Sequence, residues 1–261
     1  MRALITNDDG IDSPGLAVLA RVALDAGFDV TVAAPAREFS GASASLLGAE
    51  VDGQLVVEEK AAPGLPPGVR SLAVAGAPGL IAFLASFDGF GPRPDLVLSG
   101  VNRGSNTGHA VLHSGTVGAA FSALTHDIRA VAVSLAAGRP EHWATAGAVA
   151  SHVLPWVLDQ PAGHGVLNVN VPDVPAERLL GIRKAPLARF GAVQSALETD
   201  DAGQHTIRYT ATDPTQDQDS DAGLLAQGWA TLTLLRAPCY DSDAELPEHP
   251  DGAPTGFTAG A

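Results

Sequence analysis

Residues 1–41 read MRALITNDDGIDSPGLAVLARVALDAGFDVTVAAPAREFSG. The apolar run at 2–6 is short and stops at Asn7-Asp8-Asp9-Gly10, which is the pattern of a buried strand ending in a polar loop. Ser13 and Pro14 supply an N-cap and a first-turn proline, and Leu16, Leu19, Val22 and Ala23 then recur on one helical face. Gly27 ends that helix, and a second apolar run occupies 29–34. Strand, helix and strand in this order form the first unit of an α/β sheet.

The same alternation continues through the first two-thirds of the chain. Further strands are expected at 71–75, 95–99, 130–135 and 166–171, with helices at about 78–87, 115–125 and 141–158. Strand runs with little polar alternation, separated by helices, belong to a parallel sheet covered on both faces. The fold class is therefore α/β, a doubly wound and mostly parallel sheet. After Pro172 the pattern changes: 206–212 and 229–235 alternate as half-buried strands, with the polar stretch 213–221 between them. These predict a C-terminal antiparallel hairpin. The expected organisation is a core over 1–175, a hairpin and oligomerisation extension over 176–240 that completes the domain, and an acidic, disordered tail over 241–261.

Charge supports that division. The 261 residues carry a net charge of −14, and residues 198–261 hold twelve acids against only Arg208 and Arg236. The segment from Asp241 has five acids, three prolines and three glycines, too little apolar surface to offset its ordering entropy. A chain this negative is a poor partner for nucleic acid or an anionic membrane. Cys239 stands alone, so no disulfide framework is possible, and no Cys/His cluster has zinc spacing. Acids at positions 8 and 9 do not fit a signal peptide, and no apolar run reaches 18 residues, so the expected location is cytoplasmic.

Three segments carry chemistry, each at the carboxyl end of an expected strand, where open parallel sheets bind ligands. Asp8 and Asp9 are costly neighbours unless a cation neutralises them, and hard oxygen donors suit Mg²⁺ or Mn²⁺. An Asx turn is the bland alternative. The loop Ala34-Pro35-Ala36-Arg37-Glu38-Phe39-Ser40-Gly41 is ordinary in composition, but Ser40 could donate a hydroxyl ligand. The densest segment runs from Ser99 through Asn102 and Asn106 to His113-Ser114-Gly115-Thr116. Ser114, Gly115 and Thr116 open an apolar helix, where hydroxyls and free N–H groups suit a phosphate. Simple N-capping by Ser114 is the competing explanation. No Gly-Lys-Ser/Thr follows, so this is not a P-loop, and no G-x-G-x-x-G follows the first strand.

Taken in order and spacing, TNDDGIDSPGL, APAREFSG, PDLVLSGVNRGSNTG, HSGTVGAA and NVNVPDVP resemble the survival protein E (SurE) family of metal-dependent 5′/3′-nucleotidases. The resemblance covers about residues 1–175 strongly and 206–236 weakly. It implies a Rossmann-like phosphatase domain with one divalent ion per subunit held by Asp8, Asp9, Ser40 and Asn102. It also implies a phosphate site at Ser114, Gly115 and Thr116 with Asn106 nearby, a nucleoside monophosphate substrate, and a homodimer or homotetramer joined through the hairpin. On this reading the pair Asp8 and Asp9 is catalytic. A nucleotide-binding module without catalysis is the alternative. An aspartyl-phosphate enzyme of the haloacid dehalogenase type would want Asp-x-Asp, which the adjacent pair does not provide. The chain departs from the family at His113, where tyrosine is usual, at Gly76-Ala77-Pro78, and at Ala42-Ser43-Ala44-Ser45. His113 could be a general acid, although a histidine at a helix entrance is more often a surface residue.

Overall fold

The computed structural model describes residues 1–189, 193–199, 205–211 and 217–236. Cys239 and the acidic segment from Asp241 lie outside them. The first strand, β1 (Arg2–Thr6), leads into helix α1 (Pro14–Asp25) and then β2 (Asp29–Pro35). Three short strands follow, β3 (Glu50–Val51), β4 (Gln54–Leu55) and β5 (Val57–Glu59), before β6 (Arg70–Val74) and α2 (Pro78–Ala85). Then come β7 (Leu96–Arg103), α3 (Gly115–Leu124), β8 (Arg129–Leu135), α4 (Trp143–Asp159) and β9 (Val166–Val171). The C-terminal part adds β10 (Ile182–Lys184), β11 (Val193–Thr199), β12 (His205–Ala211), α5 (Asp221–Ala226) and β13 (Ala230–Leu235).

One sheet of nine strands, in the order β10-β13-β9-β8-β7-β1-β2-β6-β5, organises the molecule. The six strands from β9 to β6 are mutually parallel. Their apolar runs are explained by burial on both faces. Ala3 and Ile5 point to a core shared with Leu16 and Leu19 of α1 and Val149 and Val153 of α4. Leu4, between them, points to the opposite core with Ile81 of α2 and Val117 of α3. The doubly wound α/β expectation is met.

Two local differences matter for the site. Strand β7 does not stop at Ser99; after an irregularity at Gly100-Val101 it resumes pairing with β8, Asn102 opposite Ser134 and Arg103 opposite Leu135. The sequence Ser-Gly-Val-Asn-Arg reads as loop, but ladder bonds to β8 hold it as strand. Helix α1 can start against this bend because residue 15 is glycine: a Cβ there would sit 2.2 Å from the Val101 carbonyl oxygen.

The expected C-terminal antiparallel hairpin is present, but the strand at 229–235 is not part of it. The antiparallel hairpin is β11 with β12, registering Ser195 opposite Tyr209. Strand β13 belongs to the main sheet instead, antiparallel to β9 and parallel to β10. Alternation in 229–235 reports a strand with one covered face, and says nothing about which neighbour covers it. No helix among the described residues is long and apolar enough to cross a membrane.

Candidate active site

The chain winds outward from β1 through β2 to β6, then returns to β7 and winds the other way, so the β1/β7 gap is the switch point where an open α/β sheet leaves a crevice. Asp8 and Asp9 follow β1 at that gap, and Asn102 and Arg103 end β7 beside it.

A tight turn presents the two carboxylates. The fully buried Asn7 accepts from Gly10 N–H (3.1 Å) and donates to the Gly10 carbonyl (3.0 Å), closing a ring around Asp8 and Asp9. Gly10 sits at φ +95°, a conformation that side chains resist. Ile11 N–H donates to the Pro35 carbonyl and Phe39 N–H to the Asp8 carbonyl, both at 2.8 Å, which ties the loop after β1 to the end of β2 and the loop that follows it.

Asp8 is 5% exposed and meets the start of α3 directly. Its carboxylate accepts from the Thr116 hydroxyl (2.6 Å) and from Thr116 N–H (3.1 Å). Burial pushes the Asp8 carboxyl up to about 6, the Thr116 hydroxyl opposes that, and the Asp9 charge adds to it. Gly115 permits the approach, since a Cβ there would lie 2.8 Å from Asp8 Cβ. Asp9 accepts from Arg103 twice, from the backbone N–H to Oδ2 and from Nε to Oδ1, each at 3.0 Å. Burial raises the Asp9 carboxyl too, and the Arg103 contacts counter it.

The other sequence-derived residues surround this centre without bonding the carboxylates. Ser40 Oγ donates to Glu38 Oε1 (2.5 Å). Asn102 Nδ2 donates to the Gly104 carbonyl (2.8 Å), and no donor among the described residues reaches its Oδ1. Ser114 caps α3, its Oγ accepting from Val117 N–H at 3.1 Å. The capping reading of Ser114 is thus realised, and its own hydroxyl proton remains to be donated. The Thr116 hydroxyl, expected to face a phosphate, is spent on Asp8. His113 is exposed at the entrance to α3, and the backbone around it is pinned by Ser43, whose N–H donates to the His113 carbonyl (3.2 Å) and whose Oγ donates to that of Leu112 (2.7 Å).

Asn106 is gripped from beneath. Asn170 Oδ1 accepts from its N–H (2.7 Å), Asn168 and Asn170 each donate a side-chain N–H to its carbonyl (2.9 Å), and its own Nδ2 donates to Ser134 Oγ (2.8 Å). Farther along the same loop, Gly108 N–H donates to both oxygens of Asp221 (2.9 and 3.2 Å), which also accepts from Ala188 and Ala222 N–H at 2.8 Å. Asp221 is fully buried. Asn7, Arg103, Ser134, Asn168, Asn170 and Asp221 were not singled out from sequence. For Asn168 and Asn170 a signal existed: two amides two apart in an otherwise apolar strand share one face and need a common partner.

The donor set fits a hard divalent cation. Two carboxylates meet in a buried turn that keeps one of them near pH 6, an energetic cost that a cation would reverse. Ser40 and Asn102 lie next in sequence to Phe39 and Arg103, the residues that bond Asp8 and Asp9. No group of three or more His, Cys, Asp or Glu among the described residues offers an alternative metal centre.

The chain is similar to known proteins over most of its length. A family model described as survival protein SurE matches residues 3–194. A 5′-nucleotidase SurE of Rhizorhabdus wittichii is 37% identical over 90% of this chain and 93% of its own length. A 5′/3′-nucleotidase SurE of Cronobacter sakazakii is 35% identical over 90% of each chain. The crystal structure of the SurE protein from Aquifex aeolicus superposes with a TM-score of 0.72 at 25% identity, covering 90% of this chain and 93% of that one.

Proposed function

Because this chain belongs to the survival protein SurE family, we propose that it is a nucleotidase that hydrolyses nucleoside 5′- and 3′-monophosphates to nucleoside and phosphate. The observation that carries this reading is the contact between Asp8 and Thr116, which joins an acidic turn to a helix N-terminus. A cation at the first and a phosphate at the second would be neighbours.

Asp8, Asp9, Ser40 and Asn102 would hold one Mg²⁺ or Mn²⁺ per subunit. Bound there, the ion supplies Lewis-acid polarisation of a phosphoryl oxygen and lowers the pKa of a water molecule. The chain supplies the rest. Two hydrogen bonds from Thr116 fix the rotamer of Asp8, so its carboxylate can orient the attacking water and accept its proton. Of the first N–H groups of α3, Thr116 is bound to Asp8 and Val117 to Ser114, which leaves Gly115 N–H and the Ser114 hydroxyl to take phosphoryl oxygens. Asn106, immobilised by Asn168, Asn170 and Ser134, would present its amide to the same group. We further propose a homodimer or homotetramer joined through the β11–β12 hairpin, which sedimentation measures directly.

The test is phosphate release from a panel of nucleoside monophosphates with Mg²⁺ or Mn²⁺, before and after exhaustive chelation. Release that disappears on chelation and returns with either ion is the expected result. Tight nucleotide binding without release would make the chain a binding module, and full activity after chelation would overturn the metal assignment.

A further inference from the structure

The loop after β2 lines a cavity of about 480 Å³ that the chemistry described so far does not use. Its walls include Arg37, Phe39, Leu47, Ala49 and Ala75. Ala75 follows β6, and Arg37 and Phe39 follow β2, so the cavity lies over the carboxyl ends of these two strands. From β1 the sheet runs to β2 and then β6. The cavity is therefore one to two strand spacings, roughly 5–10 Å, from the acidic pair. That is the scale a ribose spans between its phosphate and its base.

The lining chemistry is that of a base site and not of a second phosphate site. Most of the wall is aliphatic, and the Arg37 guanidinium lies over the Phe39 ring, 5.3 Å from its centroid. A planar cation stacked with an aromatic ring presents flat, polarisable surface to a flat ligand. One wall of the cavity is tied to the acidic turn through the backbone. Phe39 N–H bonds the Asp8 carbonyl, and the next residue is Ser40. A second apolar cavity, lined by Phe83, Phe121 and His126 of α2, α3 and the turn after it and by Ala44 and Leu46, includes no residue bonded to the acidic turn.

We propose that this cavity is the nucleobase subsite, with Phe39 and Arg37 as its stacking platform. The proposal rests on the nucleotidase reading and deepens it. A platform of this kind tolerates any base and favours those with more stacking surface, so purine nucleotides are the preferred class. Stacking on an aromatic side chain is lost on alanine substitution by an amount equivalent to about 5- to 150-fold in affinity.

The experiment compares Phe39→Ala and Phe39→Trp with the parent on AMP, on ribose 5-phosphate, which has the same phosphomonoester and no base, and with inorganic phosphate as inhibitor. In Phe39→Ala the ratio of kcat/KM for AMP to that for ribose 5-phosphate should fall about 5- to 150-fold, through KM. Phe39→Trp should retain most of the ratio, and the inhibition constant of phosphate should move far less than KM for AMP. A ratio unchanged in Phe39→Ala, or equal losses on both substrates and on phosphate, would overturn the subsite while leaving the nucleotidase reading intact. A parent that releases no phosphate from any nucleotide would overturn both.

Discussion

Asp8→Asn should make the protein more stable and inactive. Burial pushes the Asp8 carboxyl up to about 6 from an ordinary 3.8. A group whose folded pKa is raised binds its proton more tightly when folded, so stability is greatest below about pH 4. It falls as pH rises to about 6 and then stays low. At 1.36 kcal/mol per pH unit, the ionised carboxylate costs about 3 kcal/mol at neutral pH. Asparagine carries no charge and need not lose either hydrogen bond. Its Oδ1 can accept from Thr116 N–H, and its Nδ2 can donate to the Thr116 hydroxyl, which then rotates to accept. Removing the Asp8 charge also relieves Asp9, which acts in the same direction.

The assay is thermal unfolding with chelator at pH 4 and pH 7.5, parent against Asp8→Asn. For a chain of this size about 3 kcal/mol corresponds to roughly 6–12 °C. The variant should lead by that order at pH 7.5 and lose most of its lead at pH 4, while its phosphate release falls to background. The raised carboxyl of Asp221 is common to both proteins and cancels in the difference. A variant no more stable than the parent at pH 7.5, or a lead that does not change with pH, would refute the burial argument.

Thr116→Ala removes the hydroxyl that holds Asp8 down, so with chelator present the Asp8 carboxyl should titrate at higher pH, followed by carbon-13 NMR of labelled carboxylates. Thr116→Ser should leave it in place, and an unmoved titration in the alanine variant would show that the hydroxyl does not hold it. In Asp221→Asn the amide oxygen can replace Oδ1, which serves Ala188 and Ala222, but the amide nitrogen then opposes Gly108 N–H. Unfolding should report a loss of about 1–3 kcal/mol with a raised KM; unchanged stability and KM would show that the contact is dispensable. Gly118→Ala would place a Cβ 2.1 Å from the Ser43 carbonyl oxygen, whereas an added Cβ at Gly138 meets nothing within 4 Å. Melting temperature should fall by many degrees in the first and stay near parental in the second, and equal melting of both would contradict the packing of α3 on the Ser43 loop.

What the sequence discloses follows from the range of the interactions. The strand at Arg2–Thr6 and the helix beginning at Pro14 are written in residues a few positions apart, because double-faced burial and helical spacing are local patterns. Asp8 and Asp9 were legible for a related reason: adjacent acids after an apolar strand violate a local preference, and such violations mark sites. Even local rules yield to tertiary context. Ser13 occupies the N-cap position of α1, yet its hydroxyl caps nothing and has no partner among the described residues. The Leu16 N–H that a capping hydroxyl would bind donates to the Ser13 carbonyl instead, at 3.3 Å.

The unread part lies in contacts across long stretches of chain. Arg103 reaches Asp9 over 94 positions, and Asp221 reaches Gly108 over 113. Nothing in GVNRG distinguishes a surface arginine from one that steadies a carboxylate. The Thr116 hydroxyl shows the consequence most clearly. From sequence it is one of several donors at a helix end that suits an anion. What changes is the anion it meets first. The carboxylate of Asp8 already lies at the positive end of α3, so the helix end proposed to receive a phosphate also stabilises the charge of that carboxylate. Burial raises the Asp8 carboxyl and the α3 terminus lowers it, and the balance leaves it near pH 6. Without a cation, shifting either effect should shift the titration of that carboxyl with it, upward when the Thr116 bonds are lost and downward when the turn is opened to water.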